Sequence, residues 1–473
     1  MSNKKIGLWD LVFMNVSALY GIRWIAKSTA SSFGLGLGAI PTWILFAFIF
    51  FVPSALICAE LASKYPKDGG LYEWVKEAYG EKWGFIVSWL NWTAKIFWYS
   101  SFLTFMSVNI SYAVGKPELA EDKMFVLIVS LVVFWVLSLI SLKGMGSAKI
   151  FTNLGALGST VPTLLLIVLA FVAVFVFKVR PASVYTVSTM TPKINVNSLS
   201  AISSIMFALA GAEVSANFVT EMDNPRRDFP KAIMIAAAIV GGLYVLGSIA
   251  ITMILPTDQI TASQGVLAAI SAVAQNLGIG KWLVSLVALG VTISIFGAVI
   301  LYIASPLKML FGSVPEGIFP QSMTKVNDIN IPYNSVIIQA ILVSALLIFS
   351  NLLPSVDAIY NLLVTMTALT SLFPYVLLFA SYITLRKTRG SNPEFYEMSG
   401  NSSTAVHIAQ MVLVVTVVGI ILSATPVMPS LKENIIYEVE MLGGAVIVIG
   451  LGFLLWNRYA RRTGNMGNVD IKH

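Results

Sequence analysis

The chain has 473 residues, of which 57% are hydrophobic and only 11% charged, with a mean hydropathy of +0.82. A soluble protein carries about 25% charged residues, so a soluble fold is excluded and a polytopic membrane protein is expected. The single cysteine, Cys58, and two distant histidines, His407 and His473, exclude a disulfide scaffold and a metal cluster of the usual kind.

In chain order, Lys4 and Lys5 lead straight into the first apolar run with no small-residue cleavage site, so that run is expected to be retained as a span. Runs of about 20 apolar residues are needed to cross a hydrocarbon core. Twelve are predicted, over residues 9–32, 39–63, 83–114, 124–142, 150–178, 199–222, 231–255, 282–308, 333–353, 357–385, 405–424 and 436–457. The third is overlong and is expected to tilt or to begin on the membrane surface. None of the connecting loops is large enough for a soluble domain. With the N-terminus inside, roughly twenty Lys and Arg fall in inner loops against roughly seven in outer ones, which places both termini in the cytoplasm. The net charge of +7 is therefore a loop property and not a nucleic-acid surface.

The first span is irregular. It passes through Asn15 and Ser17 to Leu19-Tyr20-Gly21, then carries Arg23 and, one helical turn on, Lys27. A cation inside a membrane helix costs roughly 2.5–3.5 kcal/mol on insertion scales, so such residues face a cavity or a partner. The sixth span has a matching small-residue stretch, Ala208-Leu209-Ala210-Gly211-Ala212, followed by Glu213. Gly21 and Gly211 are 190 positions apart, which is five spans with their loops. Interrupted helices in corresponding positions of two halves point to a transporter binding site near the bilayer midplane, and an odd number of spans per half makes the halves inverted.

Three stretches carry a family resemblance. Ala59-Glu60-Leu61-Ala62-Ser63-Lys64-Tyr65-Pro66-Lys67-Asp68-Gly69-Gly70-Leu71-Tyr72 resembles the signature after the second helix of the amino acid–polyamine–organocation (APC) transporter superfamily. Glu221-Met222-Asp223-Asn224-Pro225-Arg226-Arg227 resembles the one after helix six, and Pro315-Glu316-Gly317-Ile318-Phe319-Pro320 the loop between helices eight and nine. Within the superfamily, Gly211 to Ala216 and Thr220 to Pro225 look most like the glutamate/γ-aminobutyrate antiporter family. The opening Gly7-Leu8-Trp9-Asp10 and the run from Tyr20 to Thr29 resemble its tyrosine/tyramine branch.

The resemblance implies a LeuT-type fold of 12 transmembrane helices. Residues 1–178 and 199–385 would form a 5+5 inverted repeat, and 405–457 two peripheral helices. It places Ser17, Leu19, Tyr20 and Gly21 on the substrate-contacting break of helix 1, and Phe207, Ala208, Ala210 and Gly211 on that of helix 6. Phe207 takes the place of an aromatic gate. It also implies a plasma-membrane protein, monomeric or homodimeric, that exchanges an amino acid for its decarboxylated amine and works alongside a cytosolic decarboxylase. Tyrosine/tyramine is the expected pair, with glutamate/γ-aminobutyrate exchange, agmatine/putrescine exchange and proton-coupled uptake as alternatives. The family's Gly-small-Gly in helix 1 is here Leu19-Tyr20-Gly21, and Gly158-Ser159-Thr160-Val161-Pro162 lacks the lysine that some relatives carry in helix 5.

Unwound backbone frees N–H and C=O groups that can hold a carboxylate and an ammonium group without charged side chains. Further pocket candidates are Tyr99 in the third span, Ile293 and Ser294 in the eighth, and Thr367 in the tenth, near Thr365 and Thr370. Arg23, Lys27, Lys95 and Glu213 are charge-pair or vestibule candidates. Glu213 is expected to pair with Arg23 or Lys95, and Lys27 to snorkel toward the outer headgroups. Two cations in helix 1 count against a dicationic diamine as substrate. No cofactor is expected. Enzyme motifs such as G-x-S-x-G and H-E-x-x-H are missing from the sequence, as is the phosphate-binding loop of an ATP-driven pump.

Overall fold

The computed structural model describes residues 7–31, 34–65, 70–142, 148–193, 196–211, 213, 224–327, 331–392, 394–425 and 430–463. Among them the regular structure is helical throughout. The first predicted span is two helices, α1 (Leu8–Leu19) and α2 (Arg23–Thr29), separated by Tyr20-Gly21-Ile22. Tyr20 is extended (φ −82°, ψ 127°) while its amide still bonds the Val16 carbonyl at 2.9 Å. The chain therefore leaves α1 with its last turn closed.

The second span is one rod made of α3 (Ala39–Phe46), a π-helical turn (Ala47–Phe51) and α4 (Val52–Lys64). Pro53 has no N–H to offer the turn before it, and the wider turn absorbs that gap. A short α5 (Leu71–Tyr79) reaches Gly80, whose φ of 85° reverses the chain into α6 (Glu81–Ala113). At 33 residues, α6 is about 50 Å long, more than a hydrocarbon core needs. The chain continues as α7 (Lys123–Ser141), α8 (Ala148–Phe171), the single turn α9 (Val187–Met190) and α10 (Val196–Ala208). Then come α11 (Pro225–Ile254), α12 (Gly265–Asn276), α13 (Trp282–Ser313), α14 (Gln321–Thr324), α15 (Tyr333–Ser350), α16 (Val356–Arg389), α17 (Ser402–Ser423) and α18 (Leu431–Thr463).

Among the described residues, eight helices are long and apolar enough to cross a membrane, against twelve predicted spans. Span one is broken at Tyr20-Gly21-Ile22, α6 carries Glu81, Lys82, Lys95 and many hydroxyls along its length, and residues 212 and 214–222 of span six lie outside the described residues.

Apolar side chains cover the outside of the bundle as well as filling its core. On α7, Ile128, Val132 and Val136 form an exposed stripe at four-residue spacing, whereas Ser130, Phe134 and Ser138 face inward. The interior hydroxyls join helices: Ser107 Oγ lies 2.9 Å from Ser130 Oγ, and Trp135 Nε1 donates to Ser344 Oγ at 3.1 Å. The most enclosed element is α16, packed by α5, α6, α10 and α17, while α11 packs against α1, α2 and α8. Helices α8 and α13 touch closely at Gly158. A Cβ there would lie 2.4 Å from the Gly290 carbonyl oxygen and 2.6 Å from Ser294 Cβ.

Candidate substrate site

The two breaks meet. Gly211 adopts φ 125°, a conformation open mainly to glycine, and a Cβ on it would lie 3.3 Å from Leu19 Cδ2. Of the residues expected at the two breaks, the structure sets Leu19 of the first against Gly211 of the second.

Each break is held by one tyrosine hydroxyl, a feature sequence reasoning missed. Tyr244 on α11 accepts from the Gly21 amide at 3.1 Å and donates to the Leu19 carbonyl at 3.0 Å. Its ring stacks on Trp43 (centroids 4.0 Å apart, planes 11° from parallel) and lies 5.0 Å from the Tyr20 ring. Tyr375 on α16 accepts from the Gly211 amide at 2.6 Å and donates to the Glu213 carboxylate. The only signal in the sequence was a tyrosine in a span otherwise rich in small aliphatics, which fits many packing roles. Of the amides freed by the breaks, those of Gly21 and Gly211 are therefore taken by phenol oxygens.

Tyr20 is buried, and its hydroxyl lies 2.5 Å from Thr163 Oγ1 on α8, just past the helix-5 stretch without a lysine. The Phe207 ring, just before the second break, meets Trp24 edge-on with centroids 5.6 Å apart. The side chain of Ser17, in the last turn of α1, lies outside the described residues, as does Glu221.

The remaining candidates are placed differently from expectation. Tyr99 is fully buried and donates to the Tyr302 carbonyl at 2.5 Å, which joins α6 to α13. Ser294 and Ile293 sit where α13 presses on α8. Thr365, Thr367 and Thr370 donate to carbonyls of their own helix, those of Asn361, Leu363 and Met366.

The charges also rearrange. Lys27 does not snorkel; it is 1% exposed and donates to Asn361 Oδ1. Asn361 in turn bonds Asp357, whose carboxylate accepts from the Ser263 amide and hydroxyl at 2.9 Å each. Glu213 bonds Tyr375 rather than Arg23 and lies within electrostatic range of Lys95. The Lys95 ammonium sits 5.4 Å from the Tyr302 ring centre. Arg23 is 5% exposed, with its guanidinium carbon 3.6 Å from the Phe102 ring centre and 4.5 Å from that of Trp24. A buried cation therefore flanks the first break, and a carboxylate follows the second.

Away from the breaks, Glu60, Lys64, Arg386 and Glu397 form a neutral cluster of two acids and two bases. Arg386 Nη1 lies 2.7 Å from Glu60 and 2.7 Å from Glu397, and Lys64 is 2.9 Å from each acid. Tyr382 donates to Glu60 at 2.7 Å, and the Met398 amide does so at 3.0 Å. Burial alone would push the Glu397 carboxyl up, but hydrogen bonds from Arg386, Ser391, Lys64 and the Asn392 amide outweigh it and hold that carboxyl well below the usual carboxylate range. The 386–404 loop folds back onto α4 to complete the cluster, a contact no local sequence pattern announces.

A family model described as amino acid permease matches residues 6–449. The chain belongs to the amino acid permease family. This permease is 30% identical over 463 residues to an uncharacterised transporter of Legionella pneumophila, covering 97% of this chain and 98% of that one. It is 24% identical to a probable agmatine/putrescine antiporter of Lactococcus lactis, covering 94% of each chain. It is also 24% identical to a glutamate/γ-aminobutyrate antiporter of the same species, covering 98% of this chain and 92% of that one. Family and relatives are transporters, not enzymes. The permease is a multi-pass membrane protein of a family of amino acid transporters.

Proposed function

We propose that the permease is a secondary antiporter that exchanges an amino acid for its decarboxylated amine by alternating access. The observation that carries this reading is the contact of Leu19 with Gly211, which sets two non-helical segments face to face in the protein interior. Irregular backbone at membrane depth is tolerated where it lines a binding cavity. The reading takes the chain as a LeuT-type bundle of twelve spans in a 5+5 inverted repeat, 1–178 and 199–385, with 405–457 peripheral. It lies in the plasma membrane with both termini cytoplasmic, and a cytosolic decarboxylase supplies the outgoing amine. Tyrosine and tyramine are the pair favoured by the Gly7–Asp10 and Tyr20–Thr29 stretches. Arg23 and Lys27, both buried near the first break, oppose a dicationic diamine such as agmatine or putrescine.

A second reading, glutamate against γ-aminobutyrate, is favoured by the same two cations and by the antiporter of that description among the relatives. Counterflow separates them. In proteoliposomes loaded with labelled tyramine, external tyrosine should accelerate efflux. Acceleration of labelled γ-aminobutyrate efflux by glutamate would select the second reading, and equal rates with and without any external amino acid would refute exchange.

A further inference from the structure

We propose that Arg23, assisted by the Tyr360 hydroxyl, is the receptor for the substrate's carboxylate. The inference rests on the reading of the two breaks as the substrate site. Three observations carry it. First, in a protein interior a guanidinium normally finds a carboxylate or a set of carbonyls, because burying its charge unpaired is costly. Arg23 is 5% exposed, yet its Nε and Nη1 have no hydrogen-bond partner among the described residues. Its guanidinium lies over two aromatic faces, Phe102 and Trp24, which compensate a cation weakly.

Second, the Tyr360 hydroxyl is also fully buried and without a partner among the described residues. It lies within electrostatic reach of Arg23, and its ring stacks on Phe105, one helical turn from Phe102 on α6. A planar fork of donors and a hydroxyl donor beside it match the two oxygens of a carboxylate. Third, the backbone amides of Gly21 and Gly211 are held by Tyr244 and Tyr375.

Arg23 is also tied to the gate. Trp24, on which its guanidinium rests, meets Phe207 edge-on. A zwitterion with its carboxylate on Arg23 would direct its ammonium group toward the Glu213 side of the breaks. An amine without a carboxylate makes no use of Arg23, so one residue separates precursor from product.

The test is equilibrium binding to the purified full-length protein. The twenty amino acids are screened first, and the tightest is then compared with its methyl ester and its decarboxylated amine. Arg23→Gln should weaken the amino acid roughly 30-fold or more, the scale of losing one partner of a buried charge pair. The ester and the amine should stay within about threefold, and Arg23→Lys should restore part of the loss. Tyr360→Phe guards against misfolding, because it removes only an unpartnered buried hydroxyl. It too should weaken the amino acid and spare the ester. Equal weakening of amino acid and ester, or no weakening of either, would overturn the assignment. Carboxylate-selective loss without any amine counterflow would refute exchange and leave Arg23 in place. A wild-type protein that binds none of the twenty would refute both.

Discussion

Tyr244 and Tyr375 are the residues on which the breaks depend most directly. Each hydroxyl serves as acceptor and donor at once, so Tyr244→Phe strands the Gly21 amide and the Leu19 carbonyl together. Each stranded buried group costs about 1–3 kcal/mol. The variant should lower Tm by several degrees and depress exchange, measured by thermal shift and counterflow on one preparation. Gly211→Ala forces a side chain into φ 125° against Leu19 and should impair transport more than folding. Phe207→Ala should reduce exchange well below the level of Thr93→Ala, whose hydroxyl bonds only carbonyls of its own helix. The reverse ranking in proteoliposome uptake would discredit Phe207 as the gate. At this scale the sequence was informative about backbone and poor about side-chain partners. Gly211 stands out because few residues allow its conformation, with φ at 125°. Tyr244 looks like any aromatic in a helix until its hydroxyl is seen 223 positions away from Gly21.

Among elements, the 386–404 loop shows how a polar connector acts as a clamp. Glu397 joins α4 to the end of α16 through Lys64 and Arg386, and all four charges of the cluster are nearly enclosed. Removing one partner of such a set costs about 3–5 kcal/mol because it leaves the others unbalanced. Because the Glu397 carboxyl is held below its unfolded value, its stabilisation is complete above the ordinary carboxylate range and fades as pH falls through the depressed folded value. Glu397→Gln should therefore lower Tm at pH 7, and the gap to wild type should narrow below about pH 4. A constant gap across that range would show that the charge is not what holds the loop. The helices and the two breaks were readable from apolar runs and the small residues that interrupt them, whereas the fold-back of Glu397 depends on contacts between distant segments. Lys27 illustrates the same limit. Its position near a helix end suggested an escape to the headgroups, but the buried Asn361–Asp357 pair lies within its reach.

For the whole molecule, the apolar outer surface of the helices and the family assignment agree on a membrane transporter. The orientation is testable with little engineering, since Cys58 is the only cysteine and is buried. In a Cys58→Ser background, a cysteine placed near residue 3 or near residue 470 should resist membrane-impermeant thiol reagents in intact cells and react after permeabilisation. Reaction in intact cells would reverse the assignment of both faces.

The cluster around Glu60 also imposes an order on biogenesis. Glu60 precedes Tyr382 by 322 residues, Arg386 by 326 and the Met398 amide by 338. At ribosomal rates of about 5–20 residues per second, its partners emerge roughly 15–70 s later. Until then the nascent chain holds this carboxylate with Lys64 as its sole neighbour in the cluster. Sealing that end of the bundle is thus a late step of synthesis, and a chain released before residue 386 would carry an N-terminal half that is inserted but unlatched.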